Sequence, residues 1–85
     1  MIDIDFLYGL NDQVVYHRQK WNEYGNIDEL KDFAEWALIL GEQAGKLQYA
    51  CLQKDILEIK ERIFKTAAVL YKLFCLHKKK FKEMW

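Results

Sequence analysis

Apolar residues recur along this chain at three- and four-residue spacings, which predicts helices and no strands. In the first stretch, Leu7, Leu10, Val14, His17 or Arg18, and Trp21 fall on one stripe, predicting a helix over about 5–21. Gly9 weakens that helix slightly. Turn-forming residues then cluster in Asn22-Glu-Tyr-Gly-Asn26. A second helix is predicted over about 27–52, with Asn26 or Asp28 as its cap and the acids Asp28, Glu29 and Asp32 near its positive end. Its middle, Phe33-Ala-Glu-Trp-Ala-Leu-Ile-Leu40, is apolar on nearly every side, so it must be covered on more than one face. Gln53-Lys-Asp55 is a short connection with Asp55 as a cap, which makes helices two and three antiparallel neighbours.

The third helix is predicted over about 55–80 and carries two stripes. Ile56, Ile59, Ile63, Ala67, Leu70 and Phe74 form the main one, and Leu57, Phe64, Ala68, Tyr71 and Cys75 the second. One suits the core of the chain and the other a partner subunit. The expectation is a single all-α domain over 1–85, a three-helix antiparallel protomer that oligomerises into a four-helix-bundle core.

Composition sharpens this picture. The 85 residues contain no Pro and only four Gly, and 52% are hydrophobic and 15% aromatic. A chain this short buries only about 60–65% of its unfolded surface, so that much apolar surface asks for a partner, a dimer or tetramer being the simplest. The net charge is zero, but residues 1–53 carry four basic and nine acidic side chains and residues 54–85 carry nine basic and four acidic. Opposite halves suit helices packing on each other or on a copy, and argue against nucleic acid, which selects a net basic domain. The longest apolar stretch, Thr66 to Leu76, is eleven residues interrupted by Lys72. That is too short for a membrane span. The start is acidic, unlike a signal peptide, and two cysteines, Cys51 and Cys75, read as buried thiols rather than a disulfide scaffold. A cytoplasmic location follows from these readings.

Candidate chemistry lies on helices two and three. The segments are Trp36-Ala-Leu-Ile-Leu-Gly-Glu-Gln-Ala-Gly-Lys46 and Lys60-Glu-Arg-Ile-Phe-Lys-Thr-Ala-Ala68, preceded by Arg18-Gln-Lys-Trp-Asn-Glu-Tyr-Gly25. In this order the three resemble the MazG-like all-α nucleoside triphosphate pyrophosphohydrolases over about residues 14–76. The family's Glu-Glu-x-Gly-Glu is matched by Glu42-Gln-Ala-Gly-Lys46, and its Glu-Glu-Leu-x-Asp-Val-Ala-Ala by Glu61-Arg-Ile-Phe-Lys-Thr-Ala-Ala68. The resemblance implies a magnesium site at Gln43, Lys46, Arg62 and Lys65, where the family has carboxylates. Magnesium needs hard anionic oxygens, and one amide and three cations supply none.

Three readings follow. The first is a catalytically inactive relative, with no cofactor, that binds a protein partner or a nucleotide signal. Phage or bacterial origin and a modulating role are what the resemblance implies. Within it, Lys46, Arg62 and Lys65 either pair with Glu42, Glu58 and Glu61 at i,i+4 or hold phosphate oxygens directly. The second is an active magnesium-dependent pyrophosphohydrolase using Glu42, Glu58 and Glu61. The third is an adaptor that presents the basic tail His77-Lys-Lys-Lys-Phe-Lys82 to nucleic acid or an acidic surface. His17 and His77 stand alone in sequence, without metal-ligand spacing. Trp36, Leu40, Phe64 and Tyr71 are the candidate oligomer-interface residues.

Overall fold

The computed structural model describes residues 1–22 and 31–85, with the side chains of Trp21 and Asn22 left aside. Those residues form three α-helices and no strand. They are α1 (Ile4–Asn22), α2 (Phe33–Leu52) and α3 (Ile56–Lys80), followed by one 3-10 turn (Lys82–Met84).

Each helix starts on an aspartate. The Asp3 carboxylate accepts the Asp5 backbone N–H, Asp32 accepts those of Ala34 and Glu35, and Asp55 accepts that of Glu58. Each cap satisfies N–H groups that the helix itself leaves unpaired, and contributes about 1 kcal/mol. The cap at Asp32 fixes the start of α2 at Phe33, later than the expected residue 27, since residues 31 and 32 are not helical. The alternative caps Asn26 and Asp28, and the turn segment around them, lie outside the described residues.

The reversal between α2 and α3 takes three residues. The Lys54 N–H donates to the Cys51 carbonyl and the Asp55 N–H to the Ala50 carbonyl, both at 3.1 Å. This is the Schellman pattern of helix ends, whose pivot takes a left-handed backbone. Lys54 provides it at φ 56°, a conformation that costs a side chain with a Cβ about 1 kcal/mol. Asp55 then closes one helix and caps the next.

The short reversal makes α2 and α3 antiparallel neighbours, and α1 packs on α3 as well. Among the described residues α1 and α2 share no close backbone approach, so α3 is the central element. Gly9 lets α1 approach closely, because a Cβ there would run into the Phe64 ring, which also faces Phe6 at 5.9 Å.

Among the described residues the core is small: Val14, Trp36, Ala50, Ala68 and Val69. On α3 neither stripe is wholly inward: Ile59 and Ala67 of the main stripe are half-buried, and Leu57 of the second is exposed. Ile56, Ile63, Leu70 and Phe74 of the expected main stripe are exposed, while Ala68 is buried and Phe64, Tyr71 and Cys75 are half-buried. Cys75 is a free, half-buried thiol, and Cys51, expected to be buried, is free and exposed. The radius of gyration is 13.9 Å, against about 12 Å for a compact chain of this length. The fold is therefore open, with apolar faces left uncovered.

Candidate functional site

Helix spacing places Gln43 and Lys46 one turn apart on α2, and Arg62 and Lys65 one turn apart on α3. The antiparallel pairing brings the two sets level. At the seam the Arg62 guanidinium donates through Nε to Glu58 Oε1 at 2.6 Å and through Nη1 to Gln43 Oε1 at 3.5 Å. The Thr66 hydroxyl donates to the Arg62 carbonyl at 2.7 Å, which holds this turn of α3.

All three cations are paired within their own helices. Lys46 lies 3.1 Å from Glu42, Arg62 2.6 Å from Glu58 and Lys65 2.9 Å from Glu61. Solvent-facing pairs of this geometry add about 0.2–0.5 kcal/mol each. The Glu61 carboxyl is held below its ordinary value, first by the hydrogen bond from Lys65 and then by the same lysine's charge. A depressed carboxylate favours the fold above the unfolded-state pKa, and that contribution disappears as pH falls through the folded value. In Lys65→Gln the Glu61 titration should move up towards its ordinary range, as followed by carboxyl NMR. An unmoved titration would contradict the pairing.

The four positions do not enclose one chamber. Lys46 and Arg62 border an open groove of about 600 Å³, together with Gly41, Gly45, Tyr49 and Glu58. Gln43 and Lys65 border a smaller cleft of about 120 Å³ on the other side of the seam. Arg62 and Gln43, joined by their hydrogen bond, form the partition. Glu42 and Glu58 share the larger groove while Glu61 does not border it. Among the described residues, no three His, Cys, Asp or Glu side chains gather in a way that could hold a metal ion.

The smaller cleft was not visible in the sequence. Lys65 and Gln43 meet His17 of α1, Lys31, and Lys72 around it, with Trp36, Ala68 and Val69 in the same wall. His17, Lys31 and Lys72 are all engaged in further interactions. The Lys31 ammonium also stands 5.1 Å from the Trp36 ring centre, a cation–π distance. Lys65 and Lys72, seven residues apart on one face of α3, were the only local signal, since only the tertiary fold brings His17 to them.

The proposed interface residues face inward to different degrees. Trp36 is 6% exposed, and Leu40, Phe64 and Tyr71 are half-buried. The Tyr71 phenol is raised above its ordinary value, first by the adjoining Cys75 and then by burial, while Arg18 opposes the shift. The outward surface of α2 is instead built from Leu38, Tyr49 and Leu52, at 78%, 66% and 73% exposure.

At the far end of α3, His77, Lys78, Lys79 and Lys80 occupy the last turn, where positive charge complements the helix dipole. The 3-10 turn folds Trp85 back, so that its indole N–H donates to His77 Nδ1 at 3.0 Å and its ring meets Phe74 edge-on at 4.9 Å. The tail is thus partly folded onto its own helix. No helix among the described residues is long and apolar enough to cross a membrane.

No protein-family model, curated protein or solved structure matches the chain.

Proposed function

We propose that this chain is a catalytically inactive relative of the MazG-like pyrophosphohydrolases that acts by binding, through its exposed helical faces, to a protein partner. The observation carrying this reading is the arrangement at Gln43, Lys46, Arg62 and Lys65. Each cation is matched by a glutamate on its own helix, and the Arg62–Gln43 hydrogen bond lies between the two grooves. Metal-assisted attack on a phosphate requires carboxylates converging on one ion. Here Glu42, Glu58 and Glu61 are spread over two helices and turned to their cations. The uncovered apolar surface of α2 and α3 supports a protein partner.

A second reading has its own observation. His17, Lys31, Lys65, Lys72 and the Gln43 amide around the small cleft are groups that hold phosphate oxygens without a metal. In this reading the ligand is a nucleotide or nucleotide signal, and the cleft releases it unchanged.

A thermal-shift panel of nucleoside triphosphates and signalling nucleotides, each with and without magnesium, separates the readings. A ligand at a hundred times its Kd stabilises by about 2.7 kcal/mol. In a domain of this size that raises Tm by on the order of 10 °C or more. The expected result is no magnesium-dependent shift. A magnesium-dependent shift with one triphosphate, followed by pyrophosphate release, would overturn the inactive assignment. A metal-independent shift that Lys65→Glu abolishes selects the nucleotide-binding form.

A further inference from the structure

We infer that the 3-10 turn and Trp85 form a pH-operated strap: neutral His77 holds the Trp85 indole across Phe74, and a proton on His77 releases it. The strap acts at the far end of α3 and is independent of what the helical faces bind.

The backbone brings Trp85 back onto its own helix. The Phe81 N–H donates to the His77 carbonyl at 2.8 Å and ends α3. The Met84 and Trp85 N–H groups then donate to the Phe81 and Lys82 carbonyls, both at 3.1 Å. Phe74 and His77 are three residues apart and share one face of α3, so a single indole reaches both. Its N–H donates to His77 Nδ1 at 3.0 Å, and its ring meets Phe74 edge-on at 4.9 Å. The His77 ring also meets Phe81 at 5.0 Å and Phe33 of α2 at 6.2 Å. Trp85 remains 61% exposed. Burial therefore contributes little to holding it, and the bond to His77 counts.

That bond exists in one protonation state only. Indole N–H is a donor and never an acceptor, and Nδ1 accepts only in a neutral imidazole whose proton sits on Nε2. A second proton places an N–H on Nδ1, so two donors face each other across the same gap. The indole edge, which carries the positive part of the ring's quadrupole, then points at a cation. The Phe81 ring face attracts a cation instead. His77 accordingly stays seated and Trp85 leaves.

Imidazole is the side chain that changes charge between about pH 5 and 8, whereas carboxyl and ammonium side chains ordinarily do so outside that range. The charged groups around His77 belong to the second kind. They are Lys78, Lys79 and Lys80 of its own turn, Lys82 and Glu83 of the 3-10 turn, and Lys31, Asp32 and Glu35 at the start of α2. Lys80 stands 5.3 Å from the Phe33 ring centre and Lys78 5.7 Å from that of Phe74. The Asp32 carboxylate is turned to the Ala34 and Glu35 N–H groups. His77 is thus the group that switches. Because the closed strap requires the neutral ring, it is favoured at the upper end of the range and lost as pH falls through the His77 titration. With the strap closed, Phe74 and Leu70, one turn before it, are 38% and 52% exposed. Losing the indole uncovers more of Phe74, so α3 offers a longer apolar strip in acid than at neutral pH.

Proton NMR of the full chain tests the inference, with the Trp85 indole N–H assigned by its disappearance in Trp85→Phe. The ratio of closed to open strap is read from the cross-peak between the Trp85 and Phe74 rings. It should fall about fivefold between pH 8 and pH 5, the factor that losing one neutral hydrogen bond implies. Its midpoint should coincide with that of the His77 Cε1 proton. His77→Phe keeps a ring without an acceptor and should leave the strap open throughout. His77→Gln keeps an acceptor that does not titrate and should remove the step as well, while His17→Gln should retain it. Circular dichroism should report undiminished helicity in each variant, and the wild-type midpoints decide the matter if one fails to fold. A Trp85 indole unmoved across this range, a midpoint that departs from that of His77, or a step surviving in His77→Gln would overturn the inference.

Discussion

Trp36→Ala should abolish the cooperative thermal transition of this protein. Trp36 is the largest buried side chain among the described residues, 6% exposed, and it borders the same cleft as Ala68 and Val69 of α3. Truncating a buried tryptophan costs about 3–5 kcal/mol in lost transfer energy and residual cavity. Folded domains hold roughly 0.05–0.15 kcal/mol per residue, so 85 residues supply on the order of 4–13 kcal/mol in total. An open fold with a small core belongs near the lower end, where the loss consumes nearly all of it. Circular dichroism at 222 nm against temperature is the measurement. A melting point within a few degrees of wild type would show that Trp36 does not hold α2 on α3. Trp36→Phe, which keeps the apolar contact, should retain the transition.

Gly9→Ala should detach α1 from α3, although alanine is the better helix former. The added methyl would enter the Phe64 ring, whose other neighbour is Phe6. Overpacking of this kind costs about 1–3 kcal/mol, against a gain of about 1 kcal/mol in helix propensity. The expected net result is a loss of up to about 2 kcal/mol in urea unfolding. It should be recovered in part by Phe64→Leu in the same chain, since the smaller side chain makes room. A stabilised Gly9→Ala protein would mean that the ring moves aside freely and that the close approach carries no energy.

What the sequence made legible was local. The three helices follow from apolar spacing, Asp55 from its place before an apolar run, and the pairs Glu42–Lys46, Glu58–Arg62 and Glu61–Lys65 from i,i+4 geometry. All are present in the structure. What stayed open depended on direction in space. A helix apolar on nearly every side does not announce which side is inward, so Trp36, Leu40, Phe64 and Tyr71 stood as interface candidates while Leu38, Tyr49 and Leu52 form the outward surface. The same ambiguity left open which stripe of α3 turns inward. Lys54 carried no signal, because a left-handed pivot is ordinarily read from glycine or asparagine. The divided site was equally hidden. Spacing brings Gln43, Lys46, Arg62 and Lys65 to one seam, but only the tertiary fold turns two of them to each side of it.

The central position of α3 also sets an order of assembly. α2 and α3 are joined by three residues, so their mutual contacts close short loops at little entropic cost, and such contacts form early. α1 finds its docking surface on α3, which acquires a fixed orientation only once the hairpin exists. The expected order is therefore a two-helix nucleus that later recruits a third, and the first helix is then the element with most to gain from anything that steadies the other two.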